Sequence, residues 1–280
     1  MLGGEFAAVA FGLASALSWG AGDFSGGMAT KRAPVFGVLA IGHGFGLALL
    51  LGLALLWGEP SPAAADVAWG LAAGLCGMVG LAALYRALAV GQMGVVAPVS
   101  AVLTAAIPAL FSVATEGLPG ALTLAGFGLA LLGVWLVAGA GVPEGGRGGL
   151  GLALLAGCSF GTFFILLNRA GASTVFWPLA AARSSSLAVV LPIALGRRQL
   201  GRLASRSLAL ALLAGALDVA GNAFFVLATQ AGRLDVAAIL SSMYPASTVL
   251  LAGVVLGERV TRVQAAGIAA VLVAITLIAA

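Results

Sequence analysis

Charge is what this chain has least of. Of its 280 residues only 8% are Asp, Glu, Lys or Arg, while 62% are hydrophobic. A water-soluble globule of that length needs a polar exterior that so few charges cannot furnish. Histidine occurs once and cysteine twice, with Cys76 and Cys158 both inside apolar runs. That excludes a disulfide framework and a metal knuckle, and the two thiols read as small packing residues. No cofactor and no metal is expected. Clustered cations are scarce as well: the 13 Lys and Arg stand singly or in small groups without an aromatic-interleaved basic face. Despite the net charge of +4, nucleic acid is excluded as a partner.

What is abundant is uninterrupted apolar sequence. Runs of about 20 residues, the length of helix that crosses a hydrocarbon core, recur between short polar breaks. The solvent must be a lipid bilayer. The breaks combine charge with helix breakers: Lys31-Arg32-Ala33-Pro34, Glu59-Pro60-Ser61-Pro62, Gly117-Leu118-Pro119 and the stretch from Pro143 to Gly149. They predict an all-α polytopic bundle of ten transmembrane helices, at 6–29, 34–57, 67–90, 94–115, 119–141, 149–169, 174–195, 206–231, 234–256 and 260–280. The first run lacks a basic n-region and outlasts a signal-peptide core, so it is read as helix one rather than a leader.

A shift of 141 residues aligns the two halves, placing Gly20 on Gly161, Gly91 on Gly232, Ser100 on Ser241 and Leu110 on Leu251. The chain therefore reads as two five-helix repeats, 1–142 and 143–280. Because five is odd, the second copy enters the membrane from the opposite side, and the repeats are inverted. Small-xxx-small pairs such as Gly22 and Gly26, Gly42 and Gly46, and Gly70 and Gly74 predict close helix crossings. Ten cations fall on one side of the bundle and only Arg169 and Arg233 on the other, which by the positive-inside rule puts both termini outside.

Ser241-Ser242-Met243-Tyr244-Pro245, then Leu256-Gly257-Glu258-Arg259-Val260-Thr261 with Gln264 and Gly267, together with Trp19-Gly20 and Tyr85-Arg86-Ala87-Leu88 before Gly91, resemble the EamA family of the drug/metabolite transporter superfamily. The resemblance implies ten helices in two inverted repeats and secondary transport, often export, of amino acids, related metabolites or toxic compounds. It also implies a bacterial cytoplasmic membrane and cytoplasmic termini, the reverse of the charge count. In the first repeat Thr115-Glu116-Gly117 stands where the family has Gly-Glu-Arg.

Ionisable residues at bilayer depth cost roughly 2.5 to 3.5 kcal/mol each on insertion scales and so mark function. Arg183 and Asp218 are expected at similar depth on adjacent helices, either as the charged centre of a binding site or as a permanent salt bridge. Asn222 lies one turn from Asp218. His43 falls on Ser184 under the repeat shift, beside Arg183, and is a candidate proton relay or a hydrogen-bonded packing residue. Asp23 follows Trp19-Gly20 by one turn. Trp19, Tyr85 and Tyr244 are candidate aromatic walls, whereas Trp177 reads as an interfacial anchor. Pro98, Pro108 and Pro245 are expected to interrupt the fourth and ninth helices, with Ser241 and Ser242 beside the ninth-helix break as ligand contacts.

Gly157-Cys158-Ser159-Phe160-Gly161 matches a hydrolase nucleophile elbow, but it lies in a helical run and not at a strand-to-helix turn. A channel would show a polar stripe along several helices, whereas here polar residues cluster at one depth. The expected function is non-enzymatic: a secondary transporter working by alternating access, which by the resemblance exports amino acids or related small metabolites, with a proton as one candidate for the coupling ion. A multidrug or toxic-compound exporter is the alternative.

Overall fold

The computed structural model describes residues 2–90, 93–139, 149–256 and 261–279. Among them are eleven α-helices and no strand: α1 (Leu2–Thr30), α2 (Val35–Leu56), α3 (Ala64–Val90), α4 (Met93–Glu116), α5 (Ala121–Gly139), α6 (Leu150–Ala170), α7 (Phe176–Gly196), α8 (Ser205–Ala231), α9 (Leu234–Ser241), α10 (Tyr244–Leu256) and α11 (Arg262–Ala279). A short 3-10 turn, Leu200–Arg202, precedes α8. Helices α2, α3, α4, α6, α7 and α8 contain stretches long and apolar enough to cross a membrane, and α5 and α11 carry shorter apolar stretches.

The bundle is packed inside out relative to a soluble protein. Its buried positions are dominated by alanine, with Ala73, Ala87, Ala153, Ala211 and Ala274 fully enclosed, while Leu56, Leu110, Val254 and Leu272 project outward. Lipid tails solvate large apolar side chains as well as a core does, so the interior is left to small residues that let backbones approach.

The ninth predicted helix is broken at Ser242–Met243. Ser242 N donates to Ala238 O at 3.0 Å and Met243 N to Leu240 O at 3.1 Å, a tightened last turn that ends α9. Pro245 is the second residue of α10, where its missing N–H costs nothing. The fourth helix departs from expectation. Pro98 and Pro108 lie within α4, which continues from Met93 to Glu116 without a break. Each proline removes one intrahelical bond, but α4 is held along its length by packing on α5, α6 and α9, which outweighs the loss. The motif segment at 257–260 and Gly91 lie outside the described residues, as do the side chains of Tyr85, Pro98 and Pro245.

The most extensive helix pairs each join the first half of the chain to the second: α1 with α8, α3 with α6, α5 with α11, α4 with α6, α3 with α7 and α2 with α7. Glycines set these crossings. A Cβ built on Gly126 would lie 3.1 Å from Ala274 O, and one on Gly133 2.9 Å from Gly267 O. As α5 advances α11 recedes, so the two run antiparallel. Helices α2 and α7 do the same, with Gly46 against Arg183 and Trp57 against Phe176. A Cβ on Gly20 would sit 2.8 Å from Tyr244 O, and one on Gly161 3.2 Å from Leu103 O. Each of these contacts is carried onto its counterpart by the 141-residue shift.

Candidate functional site

A cavity of about 220 Å³ lies between α1, α3, α6, α7 and α8, with α2, α4 and α10 contributing one residue each. It occupies the middle of the bundle: Asp218 is the central residue of α8, Gly77 of α3 and Phe160 of α6. Seven of the ten residues singled out from sequence line it, namely Trp19, Asp23, His43, Arg183, Asp218, Asn222 and Tyr244.

Arg183 is placed by α7 and Asp218 by α8, and Arg183 Nη2 donates to Asp218 Oδ2 in a salt bridge. The arginine is nearly enclosed, with 12% of its side chain exposed, whereas Asp218 keeps 38% toward the cavity. Asn222 Nδ2 turns back along its own helix and donates to Asp218 O at 2.6 Å, fixing that turn of α8 instead of extending the ion pair. His43 stands one turn before Gly46, whose Cβ position lies 3.7 Å from Arg183 Nε, so the imidazole shares the arginine's face of the cavity. Its Nδ1 is buried without a hydrogen-bond partner.

Asp23 is brought to the site by α1. The preceding Gly22 packs against α8, its Cβ position 3.6 Å from Asp218 N, so the two carboxylates belong to one wall. Among the described residues no cation pairs with Asp23. Trp19 is stacked on Phe164 with ring centroids 5.4 Å apart, and Phe164 on Phe225 at 4.5 Å. Gly221 makes room for the indole, since a Cβ there would lie 2.7 Å from Trp19 Nε1.

Sequence reasoning missed the opposite wall. Phe160, Phe163 and Phe164 of α6 and Met78, Leu81 and Leu84 of α3 face the same space. The signal was present: the repeat shift carries Trp19 onto Phe160 and Asp23 onto Phe164.

The family model of the EamA-like transporter family matches residues 147–280. Over those residues the chain is similar to the EamA-like transporters. The match bears out the resemblance drawn from the motifs. Matching solved structures number 28 chains. In one of them, a crystal structure whose description names no activity, the fold agrees with a TM-score of 0.82 over 96% of this chain and 97% of the other, at 17% identity. No curated protein matches the chain.

Within the EamA-like half, Ser241 and Ser242 do not line the cavity. Both are buried at the break between α9 and α10, where Ser241 Oγ donates to Gly12 O at 3.5 Å and Ser242 Oγ has no partner. Ser241 ties the break to α1, while Tyr244, at the start of α10, reaches the cavity. Tyr85 belongs to α3, and its side chain is outside the described residues. Ser159 sits mid-way along α6, with no strand-to-helix turn around it.

The ends of the helices beyond the cavity are tied across the halves. Helix α7 starts at Val175 without a side chain of its own to cap it. Glu59 does so from the α2–α3 loop, accepting Val175 N at 2.7 Å, Phe176 N at 2.9 Å and Trp177 N at 3.3 Å. Trp177 is thus part of this latch, its Nε1 reaching Glu59 O at 3.5 Å. Arg233 makes a second tie at the start of α9. It pairs with the fully buried Asp235 at 2.8 Å and donates to Gly117 O at 2.6 Å, just past the end of α4. A carboxylate at the positive end of a helix contributes about 1–2 kcal/mol when partly buried. Glu59→Ala is expected to lower thermal stability in detergent by about that much, and Glu59→Gln, which keeps an acceptor oxygen, by less than half of it. Equal melting temperatures for the native chain and Glu59→Ala would show that the latch bears no load.

Proposed function

We propose that the chain is a ten-span secondary transporter made of two inverted five-helix repeats, 1–142 and 143–280, that carries amino acids or related small metabolites outward by alternating access. The observation that carries this reading is the central cavity, which is lined by an Arg183–Asp218 pair, Asp23 and His43 from helices of both halves, within the apolar bundle. Charged groups are kept at bilayer depth at a cost, and transport is the activity that uses them there.

The inversion is supported by the packing. If α5 and α11 are repeat mates and run antiparallel, the axis exchanging them is perpendicular to the helices and lies in the membrane plane. The α2 and α7 pair leads to the same axis. Such an axis gives each side of the membrane an equivalent route to the cavity, which is the geometry alternating access needs. The Glu59 and Arg233 latches are then the gate of one side. Asp218 is the natural group for a coupling proton, because a proton would release it from Arg183.

The test is flux into proteoliposomes across a panel of amino acids and metabolites, with and without a pH gradient, on the native chain and Asp218→Asn. Flux of at least one solute is expected, raised by the gradient in the native chain and insensitive to it in the variant. Absence of flux for every solute would sink the transporter reading, and unchanged flux and pH response in Asp218→Asn would remove that carboxylate from the mechanism. A toxic-compound exporter is less well supported, because about 220 Å³ falls below the roughly 300–1,000 Å³ of pockets for drug-sized ligands.

A further inference from the structure

The repeat shift pairs cavity positions whose backbones are equivalent and whose chemistry is not. Asp23 pairs with Phe164, Asp218 with Gly77 and Asn222 with Leu81, and all six line the cavity. The polar member of every pair lies on the α1 and α8 wall, and the apolar member on the α3 and α6 wall. Equivalent positions therefore give one wall that is acidic and one that is aromatic and aliphatic. Gly80 and Gly77 support the second wall directly, their Cβ positions lying 2.9 Å from the Phe160 ring and 3.4 Å from that of Phe163.

The charges on the acidic wall do not balance. Two carboxylates face one guanidinium, and that guanidinium is already committed to Asp218. A ligand carboxylate would have to displace Asp218 from Arg183, leaving two unpaired carboxylates at bilayer depth, whereas a ligand ammonium meets Asp23 without disturbing the pair. The other ionisable groups facing this space, His43 and Tyr244, supply no standing cation when neutral. The volume admits a single ring and a short arm.

We infer that the cavity takes a small amphipathic monocation, an aromatic amine without a carboxylate, with its ammonium on Asp23 and its ring against Phe160 and Phe163. The inference rests on the transporter reading and, of the amino acids and related metabolites proposed above, keeps the amines and sets the amino acids themselves aside. A monocation of this kind is held at its ammonium by the Asp23 carboxylate and at its ring by the apolar, aromatic lining of α6.

The experiment is calorimetric titration of the purified chain in lipid nanodiscs with five probes that differ in charge or ring: phenethylamine, phenylalanine, 3-phenylpropionate, 2-phenylethanol and ethylamine. Phenethylamine is expected to bind at least tenfold more tightly than each of the others. Asp23→Asn, whose side chain faces the cavity, is expected to weaken phenethylamine tenfold or more while leaving 2-phenylethanol unchanged. Equal or tighter binding of phenylalanine overturns the charge assignment. Equal binding of 2-phenylethanol shows that the ammonium is not read, and equal binding of ethylamine that the ring is not. The probe series on the native chain decides the matter even where Asp23→Asn fails to fold. Failure here, with another solute moving in the flux panel, removes the substrate assignment alone, whereas no flux of any solute removes the transporter reading beneath it.

Discussion

Arg183→Ala is expected to destabilise the chain by about 2–4 kcal/mol, and the double variant R183A/D218A to recover most of that loss. Removing one partner of a fully buried ion pair costs roughly 3–5 kcal/mol, because the other charge is stranded. The figure is reduced here because Asp218 keeps 38% of its side chain toward the cavity and retains some hydration. Removing both partners strands nothing, and pairs of this kind contribute little net stability once desolvation is counted. The double variant should therefore melt within about 1 kcal/mol of the native chain in detergent while supporting no flux. A single variant as stable as the native chain would mean that Asp218 is solvated independently of Arg183. A double variant as unstable as the single would show a load on the arginine's packing against α2, where Gly46 lies, beyond its charge.

The pair also shows how much was legible in the amino-acid sequence. Arg183 and Asp218 stand out because charge at bilayer depth is rare, and their contact follows from helix rise and antiparallel adjacency alone. The helices were legible for the same reason: runs of about 20 apolar residues end at Pro34, Glu59-Pro60, Gly117 and Arg233, and the observed ends lie within a few residues of the predicted ones. Apolar wall residues carry no such mark. Phe160 or Leu81 differs in nothing but its facing from the leucines that meet lipid, and a chain that is apolar all round has no polar face to betray its inward side. Only the repeat shift, applied to Trp19 and Asn222, singles them out.

Long-range backbone chemistry was equally hidden. Glu59 looks like one more charge in a proline-rich break, and the N–H groups it satisfies lie more than a hundred residues on, with no local signal at either end. Ser241 and Ser242 show the opposite error. Hydroxyls beside a helix break are frequent ligand contacts, but both are turned away from the cavity and serve the packing of α9 on α1. Proline was over-read in α4 for a related reason: a lost backbone bond is a local cost, and packing of the whole helix decides whether it is tolerated.

The glycine crossings carry the second large effect, because they are where the two halves touch through backbone. Gly74 of α3 and Gly215 of α8 are repeat mates. A Cβ on Gly74 would overlap Ala182 O and lie 2.7 Å from its carbonyl carbon, and one on Gly215 would lie 2.9 Å from Gly42 Cα. Neither neighbour is a flexible side chain that can swing aside, so the helices must part. Gly74→Ala is expected to cost about 3 kcal/mol or more and Gly215→Ala about 2–3 kcal/mol, at the upper end of overpacking effects. Gly27 of α1 supplies the comparison, since nothing lies within 4 Å of its Cβ position. There the same substitution removes only the helix penalty of glycine and should stabilise the chain by about 0.5–1 kcal/mol. Thermal unfolding in detergent, followed by circular dichroism, would then give shifts of opposite sign for one chemical change. Stabilisation by all three substitutions would mean that helix propensity alone decides, and destabilisation by all three that Gly27 is packed like the other two. The expected split ties the two repeat mates to a single structural role, the close approach of α3 to α7 and of α8 to α2, on which the shape of the central cavity depends.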